Sequence, residues 1–224
     1  MLSNSQEKLI RALHTKKGRR EHDKLLVEGH KNIREAGDLV EFTFTPDDTR
    51  HFKKLVSTQA PQPIAAVVRR PTWTDEDIES RDTVVVLDGI QDPGNVGSIL
   101  RLGLGFDAAV ILVESADITS PKVVRSSAGG VFKCPWLQLS RRSAENYVAA
   151  SPRTVLRLEV TACSTSEMVL TNTDKAILIA GSEGNGILME TPGLSVAVRH
   201  NCSLESLNVG HAIAIALHER YAHS

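Results

Sequence analysis

The chain has 224 residues, of which 41% are hydrophobic and only 4% aromatic, and its formal net charge is −1. This length fits one large domain, or a small domain followed by a medium one. The core must consist mostly of Val, Ile, Leu and Ala, which suits a buried parallel sheet covered by helices. The near-zero net charge excludes an overall basic protein, so any affinity for nucleic acid must come from a local cluster.

The three cysteines argue against two kinds of site. They are odd in number, widely spaced and without a CxxC pair. We therefore expect no disulfide framework, no zinc site and no site for another metal. No apolar run approaches ~18 residues, and the N-terminus lacks the apolar stretch of a signal peptide. We therefore expect no membrane segment and a reducing, cytoplasmic location. The cysteines are Cys134, Cys163 and Cys202.

The first part of the chain predicts a small α/β unit. Residues 1–35 are expected to be helical and loop-like, and a further helix ends near Gly37. Strands follow at 42–48 and at Ile64–Val68, both beside prolines. The polar, acidic stretch 72–82 has no apolar periodicity and predicts a linker. The chain is thereby divided into domains 1–75 and 82–224.

After this stretch, strands and helices alternate. The run TVVVLDGI is apolar throughout, as in a strand buried on both faces, and a helix follows it at NVGSILRLGLGF. Another helix is expected to start at Pro121, since proline is favoured in a first turn. The final segment, NVGHAIAIALHERYA, alternates like a strand, but its alanines and the pair Ile213 and Leu217 favour a helix. Alternation of this kind predicts a parallel, three-layer α/β sheet. The expected strands are 83–90, 108–114, 154–160 and 176–182.

Three segments follow predicted strands, at the edge where open α/β sheets bind ligands. The first, LDGIQDPGNVGSILRLG, carries Asn95, a candidate cap for the next helix, and Arg101 within two turns of it. A capped helix with an ordinary surface arginine would have the same sequence.

The other two segments are also ambiguous when taken singly. AGSEGNGI contains three glycines that allow close backbone approach to a ligand, and Glu183 is either a turn residue or a ligand contact. It lacks the pattern of a dinucleotide loop or a P-loop, which argues against an NAD- or nucleotide-dependent enzyme. In ESLNVGHA, Ser206 and Asn208 precede an apolar helix and could simply cap it.

Taken together and in this order, the segments resemble the SpoU/TrmH family of SPOUT RNA methyltransferases. DPGNVGSILR matches the first family motif, GSEGNG the second and SLNVG the third, while SPKVVRSSAGGVF matches the stretch between the first two. The N-terminal RALHTKKGRREHDKLLVEGHKNIREA resembles the family's substrate-binding extension, which has an L30e-like fold. The resemblance covers nearly the whole chain.

The resemblance implies a fold, a cofactor and an assembly. It implies a parallel-sheet SPOUT domain with a C-terminal trefoil knot, preceded by a small L30e-like α/β domain. It also implies S-adenosyl-L-methionine bound by the knot loops, and a homodimer through the SPOUT domain. The matched cofactor positions are Gly181, Val198 and Leu207. The matched catalytic positions are Asn95, Arg101, Glu183, Ser206 and Asn208.

The implied activity is methyl transfer to a ribose 2′-OH of RNA. Such a reaction mainly requires an oxygen nucleophile held in line with the methyl group, and stabilisation of the developing alkoxide. Arg101 is the family's candidate for activating the hydroxyl. Since a guanidinium hardly deprotonates, we favour alkoxide stabilisation and a grip on the adjacent phosphate over a role as base.

The L30e-like extension favours ribosomal RNA as the substrate. The alternatives are a tRNA 2′-O-methyltransferase, or a catalytically weak RNA-binding member of the same fold. Between Lys8 and Lys24 lie seven basic and two acidic residues, a net charge of +5, which suits phosphate contacts but also a solvated helix face. The expected RNA-binding residues are Lys16, Lys17, Arg19, Arg20 and Lys24.

The sequence departs from the family pattern at two places. Val198-Arg199-His200 stands where Ile-Pro-Met is usual, and Gly210 stands where the third motif usually has Ser. The first departure alters the rim of the expected cofactor pocket, although a backbone contact at Val198 needs no particular side chain. For His200 and His211 a surface or interface role is favoured over acid–base chemistry.

Overall fold

The computed structural model describes residues 1–159, 173–201 and 203–222. Cys163, Cys202 and the last residue of the strand predicted at 154–160 lie outside the described residues. In the described part the protein contains a three-stranded antiparallel sheet and a six-stranded parallel sheet, both with helices packed against them. The predicted α/β class with a parallel sheet is confirmed. No helix in the described ranges is long and apolar enough to cross a bilayer.

The antiparallel sheet is formed by the first 69 residues. β3 is its central strand and pairs antiparallel with β1 and β2, in the order β1-β3-β2. Ser3 and Gln6 form a capping box at the start of α1, and Thr15 caps α2. The elements are α1 (Asn4–Ala12), α2 (Lys16–His22), β1 (Lys24–Glu28), α3 (His30–Ala36), β2 (Val40–Phe44), α4 (Phe52–Leu55) and β3 (Ala65–Arg69).

Strand β1 corrects the expectation that residues 1–35 contain only helices and loops. Helix α2 ends at His22, and Asp23 caps it with a φ of 52°, in the left-handed region, which turns the chain. The next four residues after Lys24 are all buried, because the strand lies between two apolar layers. Its charged first residue and the basic sequence before it concealed this strand in the sequence.

Residues 72–82 are not only a linker. Helix α5 (Asp75–Glu79) lies inside this range, and Thr74 and Asp77 form a capping box at its start. Ile78 is fully buried against the parallel sheet, so one apolar side chain anchors an otherwise acidic turn. A helix of five residues is too short to show apolar periodicity, so the prediction of a linker without a helix was wrong for Asp75–Glu79.

The parallel sheet has the strand order β6-β5-β4-β8-β7-β9, and every pairing is parallel. The predicted strands correspond to β4, β5, β7 and β8, and the predicted helix of the final segment is confirmed. The sequence analysis missed β6, α9 and β9. The elements are β4 (Thr83–Asp88), α6 (Pro93–Gly105), β5 (Ala108–Val113), α7 (Pro121–Ser126), α8 (Gly130–Lys133), β6 (Trp136–Leu139), α9 (Arg141–Ala150), β7 (Thr154–Leu158), β8 (Ala176–Gly181), β9 (Leu194–Val196) and α10 (Val209–Ala222).

Helices cover both faces of the parallel sheet. Alternate residues of β4 and β5 point to opposite sides, so Val85 and Val110 pack with α6, α7 and α10, while Val84 and Ala109 pack with α5 and α9. All residues of both strands are buried, as the unbroken apolar runs predicted. The predicted three-layer arrangement is confirmed.

The two sheets share one apolar core. One face of the antiparallel sheet packs against α1 and α4, and its other face, with Leu25, Val27 and Val68, joins the core around α6 and α7. Buried Arg19 spans the same contact, since its Nη2 lies 2.7 Å from Asp117 Oδ2 and its Nε donates to Thr119 at 3.1 Å. The antiparallel sheet is therefore held against the parallel-sheet part by both packing and an ion pair.

Candidate active site

The three motif segments meet at the carboxyl edge of the parallel sheet. Asp88 ends β4 and pairs in register with Gly181 at the end of β8, so the first and second motifs start side by side. The chain after β9 returns to the same edge before α10 begins. The edge rule for open α/β sheets predicted this convergence.

A cavity of about 400 Å³, within the range of small-molecule sites, is lined by the second and third motif segments and by residues around β7 and β9. All three predicted cofactor residues line it, and so do Glu183 and Ser206. Most of its wall is apolar, and the charged groups in the wall are two carboxylates and, when protonated, one histidine. The lining residues are Leu158, Glu159, Ala180, Gly181, Ser182, Glu183, Gly186, Ile187, Val196, Val198, His200, Ser206, Leu207, Val209 and Ala212.

The second motif is folded tightly against its own beginning. Ser182 and Gly186 form an isolated antiparallel bridge, and the Gly186 amide donates to the Ser182 carbonyl at 2.8 Å. A Cβ on Gly181 would lie 2.0 Å from the Gly186 backbone. Only glycine fits at position 181, since backbone atoms on both sides of the contact cannot move away easily.

Asn208 joins all three motifs through its side chain. Its Nδ2 donates to Asn95 Oδ1 at 3.1 Å and to Glu183 Oε1 at 3.0 Å. Its Oδ1 accepts from the amides of Gly210 at 3.0 Å and His211 at 3.4 Å, at the start of α10. One amide group therefore caps α10 and at the same time connects the three motif segments.

Asn95 does not cap α6 as expected. Asp92 caps this helix, because it precedes Pro93 in an extended conformation and its Oδ1 accepts from the Asn95 amide at 2.9 Å. This hydrogen bond, together with Lys122 at 3.3 Å, lowers the pKa of Asp92. The Asn95 side chain is thereby left to face Asn208.

Arg101 lies outside this hydrogen-bonded cluster. It is exposed on α6, and its side chain has no hydrogen bond or ion pair within the described residues. Leu104, one turn further along the helix, is also exposed at 43%. The structure of a single chain thus brings Asn95, Glu183 and Asn208 into contact but leaves the predicted activating arginine facing outwards.

The predicted RNA-binding residues fall into two groups. Lys16, Lys17 and Arg20 are exposed on α2. Lys24 is partly buried and pairs with Glu41 at 2.6 Å. Arg19 is 6% exposed and its guanidinium donates to Asp117, Thr119 and the Leu13 carbonyl, so it is not available to a phosphate. The prediction for Arg19 is corrected on this ground.

The departures from the family pattern are accommodated locally. Arg199 is exposed, while His200 lines the cavity with its Nδ1 2.8 Å from the Val198 carbonyl. Gly210 is buried, and a Cβ there would lie 3.2 Å from both Asn208 Oδ1 and Ser98 Oγ. The absence of a side chain at position 210 leaves space around the bridging amide.

Sequence reasoning missed two carboxylates. Glu159 lines the cavity and accepts from Arg157 Nε at 3.0 Å and from Ser195. Asp88 is fully buried beneath the second motif. A signal for Asp88 was present, since an acidic residue that ends an apolar strand must find partners if it is buried.

Comparisons with known proteins agree with this arrangement. The model of the SpoU rRNA Methylase family matches residues 82–218. The 23S rRNA (guanosine(2553)-2′-O)-methyltransferase of Bacillus subtilis is 30% identical over 242 residues, covering 96% of this chain and 95% of that protein.

Solved structures show the same fold over the whole length. A protein of the TrmH family from Porphyromonas gingivalis is 30% identical, with a TM-score of 0.82 and 100% of both chains covered. The AdoMet-bound rRNA methyltransferase from Sinorhizobium meliloti has a TM-score of 0.84 over 100% of this chain and 96% of its own, at 24% identity. The chain therefore belongs to the SpoU rRNA methylase family.

Proposed function

We propose that this protein transfers a methyl group from S-adenosylmethionine to a ribose 2′-OH of ribosomal RNA. The observation that carries the proposal is the hydrogen-bonded contact of Asn95, Glu183 and Asn208 beside one ligand-sized cavity. Each of the three motif segments is a weak signal when taken singly, but hydrogen bonds join all three beside this cavity. Membership of the family and the 23S rRNA relative support the choice of substrate.

The cavity has the chemistry that S-adenosylmethionine requires. Its apolar wall, with Leu158, Ile187 and Leu207, suits an adenine ring. Glu159 and Glu183 are acidic groups in the same wall, and they suit a ligand that carries a sulfonium and an ammonium. When bound, this cofactor supplies an electrophilic methyl group. Gly181, Val198 and Leu207 would hold it largely through their backbone.

The polar cluster would position the RNA ribose. Asn208 is fixed by its own helix cap, so its amide has little freedom and holds Asn95 and Glu183 in place. Ser206, at the cavity wall, would hydrogen-bond the ribose. A preorganised set of this kind lowers the entropic cost of aligning the hydroxyl. Arg101 would stabilise the developing alkoxide and grip the adjacent phosphate.

A homodimer would give Arg101 a place in the site. Arg101 and Leu104 share one exposed face of α6, and Ile215 is 42% exposed on the neighbouring α10. Exposed apolar side chains of this kind are typical of a surface that a second copy covers. We expect Ile215→Glu to convert a dimer into monomers in light scattering, with loss of methyl transfer. A monomeric wild-type protein would refute this part.

The remaining assignments follow from the family. Residues 1–75 would bind the RNA substrate, with an L30e-like fold, through exposed Lys16, Lys17 and Arg20. Residues 82–224 would form the methyltransferase domain with its C-terminal knot. A cytoplasmic location would fit these roles, because ribosomal RNA is the substrate.

The decisive experiment is methyl transfer in vitro. We expect labelled methyl groups from S-adenosylmethionine to enter ribosomal RNA, and the product nucleotide to resist alkaline hydrolysis at the next phosphate because its 2′-OH is blocked. Preference for tRNA would overturn the substrate assignment. Cofactor binding without transfer to either RNA would favour the catalytically weak RNA-binding alternative.

The role of Arg101 can be tested by its pH dependence. If Arg101 stabilises charge, Arg101→Lys should stay slow at every pH, because a lysine lacks the planar fork of the guanidinium. A nearly full rate at a lower pH optimum would instead support a role as general base. Methyl transfer measured across pH at saturating RNA distinguishes the two.

A further inference from the structure

A buried carboxylate beneath the cavity has no role in the steps above. Asp88 is the last residue of β4 and is fully buried. An ionised carboxylate persists in a protein interior only when its oxygens are paired. The partners of Asp88 therefore indicate what this residue holds in place.

Three donors from two distant segments converge on Asp88. Its Oδ2 accepts from the backbone amides of Leu188 at 2.5 Å and Met189 at 2.7 Å. Its Oδ1 accepts from Arg141 Nη1 at 2.7 Å. Hydrogen bonds to a charged acceptor are about twice as strong as neutral ones, so the amides at 188 and 189 are firmly held.

Arg141 completes this contact from the start of α9. Its second arm, Nη2, lies 2.7 Å from Glu114 Oε2, just beyond the end of β5. A guanidinium is always charged in a protein, and the hydrogen bond with Glu114 raises the pKa of Arg141 further. One planar group thereby connects the ends of two adjacent strands and keeps the Asp88 carboxylate oriented.

The segment that Asp88 holds contains part of the cavity wall, from Gly181 to Ile187. Residues 181–189 begin at Gly181, carry Glu183 and end at Met189. The Ser182–Gly186 bridge closes the start of this loop, and Asp88 fixes its end. Neither Asp88 nor Arg141 lines the cavity, so both act on it only through the loop.

We propose that Asp88 and Arg141 form a clamp that holds loop 181–189 in the conformation that binds S-adenosylmethionine. This inference rests on the proposed function, and it makes both residues positioning residues for the cofactor. Without the clamp the loop would adopt other conformations, and cofactor binding would then have to reorder the loop. The free energy needed to restore the loop weakens cofactor binding, whereas the rate of methyl transfer at saturating cofactor changes little.

The test combines hydrogen exchange with binding. In Asp88→Asn we expect the amides of Leu188 and Met189 to exchange about 10- to 100-fold faster, because a charged acceptor is lost. The dissociation constant for S-adenosylmethionine, measured by calorimetry, should rise by a similar factor of about 10 to 100. At saturating cofactor, kcat should stay within about threefold of the wild type.

Asp117→Asn is the matched control. It makes the same substitution in another Asp–Arg pair, the contact with Arg19, and neither of these two residues lines the cavity. Both variants should lose stability, but only Asp88→Asn should lose cofactor affinity. Arg141→Lys should keep more affinity than Arg141→Ala because it retains a donor, and these two variants carry the test if Asp88→Asn does not fold.

The outcomes separate this inference from the proposed function. Unchanged cofactor affinity in Asp88→Asn, or equal losses in Asp88→Asn and Asp117→Asn, would overturn the clamp. If the wild type binds no S-adenosylmethionine, the proposed function fails and the clamp with it. Normal binding by the wild type with unchanged exchange at Leu188 and Met189 in the variant would overturn the clamp alone.

Discussion

In the loops at the carboxyl edge, residues far apart in sequence lie close together in the fold. In the basic N-terminal segment, adjacent residues lie in different environments. At the edge, Asn95, Glu183 and Asn208 are far apart in sequence but hydrogen-bonded in space. In the basic segment, Arg19 and Arg20 are adjacent in sequence, yet one is buried and the other exposed. Topology brings the first set together, whereas local helix geometry separates the second.

Motif order predicts which residues meet at a site better than a run of charges does. Parallel strands place their carboxyl ends on one edge whatever their separation along the chain, so motif order predicts proximity. A run of charges gives no such guarantee, since successive residues of a helix point in different directions. The variants below test each side of this comparison.

The largest effect is expected at Asn208. Asn208→Ala removes the donor that joins Asn95 and Glu183 and also the cap of α10. We expect methyl transfer to fall by about 100- to 1000-fold, as when a preorganised donor is lost from an active site. Asn32→Ala, which removes one hydrogen bond to the Glu28 carbonyl in the N-terminal part, should stay within about twofold.

Gly181→Ala tests the tight fold of the second motif. The new Cβ would meet the Gly186 backbone at 2.0 Å, so the loop must shift. We expect cofactor affinity to fall by about 10- to 100-fold, as for other overpacked sites. Gly184→Ala is the control, because a Cβ there meets nothing within 4 Å and its affinity should be unchanged. Equal affinities of the two variants would show that the close contact is unimportant.

Arg19→Ala tests the buried side of the basic segment. Burial raises the pKa of Asp117, but hydrogen bonds from Thr119 and Arg19 outweigh this effect and hold it below its usual 3.8. Losing the arginine leaves this carboxylate without its counter-charge, so unfolding should become easier by about 3 kcal/mol. We expect the Tm at neutral pH to drop by about 6–10 °C, with little change in RNA affinity below that temperature.

The same pair predicts a pH dependence. Since the folded-state pKa of Asp117 is lowered, its stabilisation is complete above the unfolded-state value and is lost as the pH falls through the lowered value. The difference in Tm between the wild type and Arg19→Ala should therefore shrink below about pH 4. A difference independent of pH would contradict an electrostatic origin.

Arg20→Ala should have the smallest effect. Its side chain is exposed, so stability should not change. We expect RNA affinity to fall by a factor of about 2–5, with a salt dependence reduced by about one phosphate contact. Arg142→Ala, another exposed arginine on α9, should bind RNA normally. If Arg142→Ala weakened binding as much, the N-terminal segment would have no special role.

The sequence predicted most of the parallel sheet because burial on both faces leaves an unmistakable apolar run, as in TVVVLD and AAVILV. It did not predict β6, a strand of four residues of which only Trp136 is buried, or β1 within a basic region. The second and third motifs predicted part of the cavity wall, since Gly181, Glu183 and Ser206 line it. They could not show that Arg19 pairs with Asp117 or that Asp88 holds Met189, because such partners depend on contacts across about a hundred residues.

The double role of Asn208 has a consequence for how the protein folds. The hydrogen bond between Asn208 and Asn95 closes a loop of 113 residues, so it forms only after α10 has docked beside α6. Contacts of such long range form late, since loop closure must come first. In a refolding experiment, the recovery of enzymatic turnover should therefore follow the slowest kinetic phase, well after the secondary structure has returned.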